Sequence, residues 1–408
     1  LVAAGLESAL TFLQNFHFSA DEIAYIRDLP VFSQTRREFF DALASIRFTG
    51  SVWAVPEGTP FFAGEPILTV AAPIIEAQIA ETALINLTCH ASGVASKAAR
   101  LVTASAGRDV VEFGSRRAQS SQAAFTSARS SFLAGCAATS NVEAGSTLGI
   151  PVMGTLAHSW IMTFDDEIEA FRSYCRSFPE NATLLIDTYD TVQCARRITQ
   201  SFRPEQVKGV RLDSGDLLAV SQQVRDILDR AGFHATRIFA SGDLDEERIA
   251  SLLQAAAPID AFGVGTQLTT VWDAPALGEV YKLVETRTGR ARSLKAKLSH
   301  GKTTYPGQKQ IWRVIGENGL YAQDIVTLLE EPQPAAGAEP LSVPVMENGK
   351  RLGPAPELTA SREYCTACRR KLPPEVLGLD AGEAVYTIRY SDALQEELRR
   401  FSGIRRTD

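Results

Sequence analysis

No apolar run in this sequence approaches the roughly 18 to 20 residues needed to cross a bilayer, so no membrane-spanning helix is expected. Positive charge is not in excess. Lys and Arg number 41 against 48 Asp and Glu, a formal net charge of −7. General nucleic-acid binding, which needs a dominant basic surface, is excluded on that ground. The opening stretch from Leu1 to Leu10 has neither an initiator Met nor a basic leader region. It reads as the inside of a helix, which points to a missing N-terminus rather than a signal peptide. Cysteine is sparse. Cys89, Cys136, Cys175 and Cys194 are scattered in apolar or helical contexts, as suits free thiols in a reducing, cytoplasmic compartment. Cys365 and Cys368 form a lone CxxC with no further Cys or His close by, so two helical thiols are expected rather than a zinc knuckle. Histidine is scarcer still, at five in 408 residues, and only His158 sits in a Gly/Thr/Ser turn directly after a strand-like run.

What is present is enough apolar residue, 45%, for a large core in two or more substructures. Residues 1 to about 48 read as helices, with Leu6, Leu10, Leu13 and Phe16 at helical spacing and an N-cap signal at Ser19. Residues 50–73 read as strands and turns, and 74 to about 106 as one long helix. From Asp109 short apolar runs recur every 20 to 30 residues with helical stretches between most of them. They begin near Val110, Gly135, Val152, Leu184, Gly209, Ile238, Ala261 and Tyr281. That rhythm predicts an α/β fold with a parallel sheet, and eight units suggest an irregular (β/α) barrel. The expected division is 1–108 as an N-terminal α/β layer, 109–285 as the barrel, and 286–408 as a C-terminal part completing the first layer.

The residues following each run carry the chemistry. Glu112 to Arg117, Thr139 to Asn141, Gly154-Thr155 with His158-Ser159, and Asp187 to Asp190 come first. Arg211 to Asp216, Ser241 to Asp243, and Gly263 to Thr266 follow. Polar, charged and Gly residues thus collect at the C-terminal ends of the strands, the face that holds barrel active sites. Gly-rich turns with free backbone N–H groups, near guanidinium groups, suit a phosphorylated ligand. Gly242, Gly263 and Gly265 let the backbone come close, while Arg116, Arg117 and Arg211 can pair bidentately with phosphate or carboxylate. Asp213 and Asp216 could hold Mg²⁺ through oxygen or contact sugar hydroxyls. His158 could act as base or phosphate acceptor. The basic run after Glu285 does not complete a P-loop at Gly301-Lys302-Thr303, since Ala296 stands where the earlier Gly belongs. It could still bind phosphate through Lys302, Lys309 and Arg313.

Five ordered motifs then resemble one family: Glu112-Phe113-Gly114-x-Arg116-Arg117-Ala118-Gln119, Gly154-Thr155-x-Ala157-His158-Ser159, Arg211-x-Asp213-Ser214-Gly215-Asp216, Phe262-Gly263-Val264-Gly265-Thr266 and Pro306-Gly307-x-Lys309. Together they are similar to the nicotinate phosphoribosyltransferases, over about residues 1–360. The resemblance implies a type II phosphoribosyltransferase: an irregular α/β barrel plus a second α/β domain built from both chain ends, usually a cytoplasmic homodimer. It implies transfer of phosphoribose from 5-phosphoribosyl 1-pyrophosphate to nicotinate, coupled to ATP hydrolysis, in NAD biosynthesis or salvage. Mg²⁺ would be required, ATP would be a co-substrate, and no tightly bound organic cofactor is implied. His158 matches the transiently phosphorylated histidine, and Arg211 a residue near the nicotinate carboxylate. Arg116 and Arg117 match anion contacts. Ser241-Gly242 and Gly263-Val264-Gly265 match turns that hold the ribose phosphate. Catalytic roles thus fall on His158, Arg211 and Asp213. Binding roles fall on Arg116, Arg117, Gly154, Thr155, Ser159, Ser214, Gly215, Asp216, Ser241, Gly242, Gly263, Gly265, Thr266, Lys302 and Lys309. Ser115 departs from the family's larger apolar residue and Gly242 from an Asn found in some members, and the family's N-terminal Asp-x-Tyr segment is not in this chain. A transferase for nicotinamide or quinolinate, and a non-catalytic phosphosugar-binding barrel, are the alternatives.

Overall fold

The structure is a computed structural model and describes residues 1–298, 304–379 and 386–404. The chain forms two compact units. One comprises Gly93–Ala276, and the other joins Leu1–Ser92 to the segment from Leu277 onward. The helix Ile74–Ala104 runs through the boundary.

The unit Gly93–Ala276 is built on a curled, six-stranded parallel sheet. Its order is Ala138–Thr139, Asp109–Glu112, Ala261–Val264, Arg237–Ala240, Gly209–Leu212 and Thr183–Leu185. A parallel bridge from Thr139 to Val152 extends it by one position. The strand Ala261–Val264 is buried at every residue, as a parallel strand covered on both faces must be. Val111, Ala138, Phe239 and Ala261 form a core cluster along the sheet, with Phe113 packed against it. Helices Ser121–Leu133, Glu167–Ser177, Thr191–Ser201, Leu217–Arg230 and Glu246–Gln254 follow successive strands and supply the outer layer. The expected irregular barrel is therefore an incomplete one. The run Tyr281–Val284 is not its eighth strand: it has no regular structure and lies in the other unit, where Tyr281 packs on the cluster around Leu10, Leu13 and Leu84.

The second unit is the expected α/β layer made from both ends of the chain. One sheet orders Lys350–Arg351, Val343–Glu347, Ser51–Ala54 and Leu68–Ala71, so strands about 300 residues apart in sequence hydrogen-bond directly. A second sheet orders Glu339–Pro340, Lys309–Ile315, Tyr321–Leu328 and Thr387–Tyr390. The N-terminal helices are set by ordinary signals. Ser19 and Glu22 make a complete capping box at the start of Ala20–Asp28. Leu10, Leu13 and Phe16 bury one stripe against Val52 and Leu84. No described helix is long and apolar enough to cross a membrane.

Candidate active site

Most outer helices of the barrel unit begin just beyond the C-terminal end of a strand, and a polar side chain caps most of these starts. Ser120, Asn141, Asp166, Asp190, Asp216 and Asp245 accept from backbone N–H groups of the first turn. Part of the polar rim is therefore helix-start chemistry. Asp216 belongs to it: its Oδ1 accepts from Leu218 and Ala219, and the residue is exposed.

Four other rim residues interlock. Arg211, the third residue of the strand Gly209–Leu212, donates from Nε to Ser241 Oγ at 2.8 Å and from Nη1 to Thr155 Oγ1 at 2.7 Å. Its Nη2 donates to Asp213 Oδ1 at 2.6 Å, and Ser241 Oγ donates to the same oxygen. A guanidinium has five N–H groups, so two stay free, one on each terminal nitrogen. The guanidinium carbon stands 5.5 Å from the centre of the Phe113 ring.

His158 opens the short helix His158–Ile161, and its Nε2–H donates to Asp187 Oδ1 at 3.1 Å. Asp187 is 3% exposed while the imidazole is 41% exposed. The other carboxylate oxygen of Asp187 accepts from the Asp213 N–H at 2.9 Å and the Ser214 hydroxyl at 2.6 Å. One buried carboxylate thus joins the histidine to the loop that carries Asp213. His158, Thr155, Arg211, Asp213, Ser214 and Ser241 form a single hydrogen-bonded constellation.

Glycines make the close approaches possible. Gly242 has φ +96°, and a Cβ there would lie 2.2 Å from the Asp213 carbonyl oxygen. A side chain at Gly263 would meet the Phe113 and Phe239 rings at 2.8 Å. Gly263 therefore sits inside a strand and makes room for those rings, rather than forming a phosphate turn as the motif suggested. Gly265 comes next to Phe113 across the rim and precedes Thr266, the half-buried first residue of a short helix. Arg116 and Arg117 lie exposed on the turn Ser115–Arg117, and no side-chain hydrogen bond or ion pair holds either guanidinium among the described residues. Ser115 is half-buried on the same turn, its Oγ buried without a hydrogen-bond partner among the described residues. Gly154 and Gly215 are exposed on their loops, and Ser159 is exposed on the helix His158–Ile161.

Two cations of the basic segment, Lys309 and Arg313, are engaged within the protein. Lys309 lies in the other unit, where Nζ donates to the carbonyls of Tyr305 and Gly307 at 2.7 Å each. Burial lowers its pKa to about 8. Arg313 is 1% exposed and bidentate on Asp324. Lys302 lies outside the described residues. Cys365 and Cys368 are buried on the helix Leu358–Arg370, and no group of three or more His, Cys, Asp or Glu gathers for a metal among the described residues.

Asp187, Glu112 and Thr139 stand at strand ends in the sequence, where no motif assigns them a role. Only their position marked them. Glu112 is fully buried and accepts from the Gly114 N–H and from the Thr139 hydroxyl at 2.6 Å.

Comparison with known proteins finds relatives over most of the chain. Residues 1–89 match the model of the nicotinate phosphoribosyltransferase N-terminal domain, and 109–288 match that of the nicotinate phosphoribosyltransferase family. A nicotinate phosphoribosyltransferase of Mycobacterium tuberculosis is 46% identical over 408 residues, covering 98% of this chain and 85% of that one. The Bacillus subtilis enzyme of the same name is 39% identical, covering 81% of this chain and 68% of its own. The crystal structure of human nicotinic acid phosphoribosyltransferase superposes with a TM-score of 0.84 at 28% identity, over 98% of this chain and 92% of that one. The chain belongs to the nicotinate phosphoribosyltransferase family.

Proposed function

We propose that the constellation at the barrel rim transfers phosphoribose from 5-phosphoribosyl 1-pyrophosphate to nicotinate, for NAD biosynthesis. The pyridine nitrogen forms a bond to the anomeric carbon as the bond to pyrophosphate breaks, leaving nicotinate mononucleotide and pyrophosphate. Positive charge grows on the ribose and negative charge on the leaving group, so positioned dipoles and cations matter more than a strong nucleophile. The observation that carries the reading is Arg211. Three protein acceptors fix its plane, two N–H groups remain for a carboxylate, and the Phe113 ring beside it offers a face for the pyridine. Arg116 and Arg117 are free to meet phosphate oxygens. Gly242 and the turn at Gly265-Thr266 offer backbone N–H groups to the ribose phosphate.

His158 is the proposed acceptor of a phosphoryl group from ATP. Asp187 holds the proton on Nε2, which leaves a lone pair on Nδ1 in this rotamer. Mg²⁺ fits this site only as part of the substrate complex. Asp213 has Oδ1 engaged and can offer Oδ2, with Asp216 nearby in sequence, and Mg²⁺ commonly takes few protein carboxylates beside phosphate and water. Bound there, it would neutralise the departing pyrophosphate. The reading carries a cytoplasmic homodimer with it, which light scattering of the purified chain checks.

Pyrophosphate release, measured with nicotinate, nicotinamide or quinolinate, tests the assignment. Release with nicotinate, stimulated by ATP, is the expected result. Turnover of nicotinamide or quinolinate alone would reassign the acceptor. Ligand binding without release would leave a phosphosugar-binding barrel.

A further inference from the structure

Glu112 is a fully buried carboxylate at the barrel rim that the reaction above does not use. It ends the strand Asp109–Glu112, and Phe113 follows it directly. Its Oε1 accepts from the backbone N–H of Gly114, the residue that leads into the turn carrying Arg116 and Arg117. Its Oε2 accepts from Thr139 Oγ1 at 2.6 Å. Thr139 Oγ1 in turn accepts from the Asn141 N–H at 3.0 Å, and the Ser140 N–H donates to the Glu112 carbonyl at 2.9 Å. Among the described residues no cation pairs with this carboxylate, and burial raises its pKa while the two donors hold it down.

A buried charge without a counter-ion is costly, and an apolar side chain would fill the same space more cheaply. Two donors approach from opposite sides, and the carboxylate meets each with one oxygen. One donor is a backbone N–H, which cannot turn away. The neighbourhood has no slack. A Cβ at Gly114 would lie 2.5 Å from the Thr269 side chain and 2.9 Å from the Gly265 carbonyl oxygen. A shift of Gly114 therefore has to move Phe113, the Ser115–Arg117 turn, or the loop that starts at Gly265.

We infer that Glu112 is a positioning residue that clamps the loops after two adjacent strands, and so sets where Phe113, Arg116 and Arg117 meet the substrates. It touches neither substrate itself. This inference rests on the transferase reading. It goes beyond it by assigning substrate affinity to a group outside the binding surface.

The test compares Glu112→Gln, Thr139→Val and the double variant in steady-state kinetics with nicotinate and 5-phosphoribosyl 1-pyrophosphate, with calorimetric binding of nicotinate as a readout independent of turnover. Gln keeps the shape but replaces one acceptor by a donor, and Val is isosteric with Thr. Each single variant is expected to raise KM for nicotinate about tenfold, the effect of leaving one buried polar partner unmet. kcat should change little, and the double variant should be no worse than the weaker-binding single one, because both remove the Glu112–Thr139 bond. A purely structural role would lower the unfolding midpoint and the active fraction with KM unmoved. Unchanged KM in both single variants, or additive losses in the double, would overturn the inference. Should Glu112→Gln not fold, Thr139→Val decides alone. An inactive wild-type protein would sink the transferase reading instead, and calorimetry would still show whether the clamp governs affinity.

Discussion

Replacing Asp187 by Asn probes the His158 pair at its pivot. The carboxylate has two jobs on two oxygens: one accepts from His158 Nε2, the other from the Asp213 N–H and the Ser214 hydroxyl. One of the second pair of donors is the Asp213 backbone N–H, which cannot turn away, so the Asn oxygen should take that side and turn its NH₂ toward the imidazole. An NH₂ can only donate. His158 must then move its proton to Nδ1, and the nitrogen proposed to receive the phosphoryl group loses its lone pair. In a hydrolase where such an Asp was exchanged for Asn, the wrong tautomer cost about 10⁴ in rate. His158 is 41% exposed, so water can help the ring turn over. We therefore expect ATP stimulation to fall by about 10²-fold or more, with basal transfer largely kept. The assay is pyrophosphate release with and without ATP, beside acid-labile labelling of the protein from γ-labelled ATP. Labelling and stimulation at the wild-type level would refute the reasoning.

Other sites give independent checks. Gly242→Ala places a methyl 2.2 Å from the Asp213 carbonyl oxygen at φ +96°. Left-handed backbone alone costs roughly 1–2 kcal/mol, so a lower melting midpoint and at least a tenfold loss of kcat/KM are expected, about one such increment. Arg313→Met strands the fully buried Asp324, and chemical denaturation should show a loss of about 3–5 kcal/mol. Glu65, buried beside Asp324, is pushed up to about 9 from an ordinary value of 4.5. Because the folded value is the higher one, its contribution to stability is complete below about pH 4.5 and drains away as pH rises toward 9. Glu65→Gln should therefore flatten the fall of the melting midpoint between pH 5 and 9. An unchanged pH slope would remove Glu65 as its source.

Much of the site was legible because strand ends in a parallel sheet are marked by composition. Apolar runs stop, Gly and charged residues start, and Arg211, Asp213, Ser241 and His158 all stand at such stops. What periodicity could not show was partnership across the rim. Asp187 is one Asp among several at strand ends, and nothing in its neighbours says that it reaches His158, 29 positions away, while Asp216 only caps its own helix. The same blindness misled the reading of the basic segment. Arg313 looks like a free cation in a charged run, but Asp324 on the neighbouring strand and the Pro60 carbonyl claim it. Lys309 is spent on its own turn. The Tyr281–Val284 run has the apolar character of a strand, yet Tyr281 fills a gap beside residues from the other end of the chain, a use that no local pattern encodes.

The central claim is that Arg211, held by Ser241, Thr155 and Asp213, is the carboxylate anchor. Its most direct test is the ratio of kcat/KM for nicotinate to that for nicotinamide, in the wild type and in Arg211→Gln. Losing charge-assisted hydrogen bonds worth about 1.5–3 kcal/mol each should cut that ratio by roughly 10²-fold, mostly through nicotinate. If both pyridines lose equally and the ratio stays put, Arg211 does not read the carboxylate.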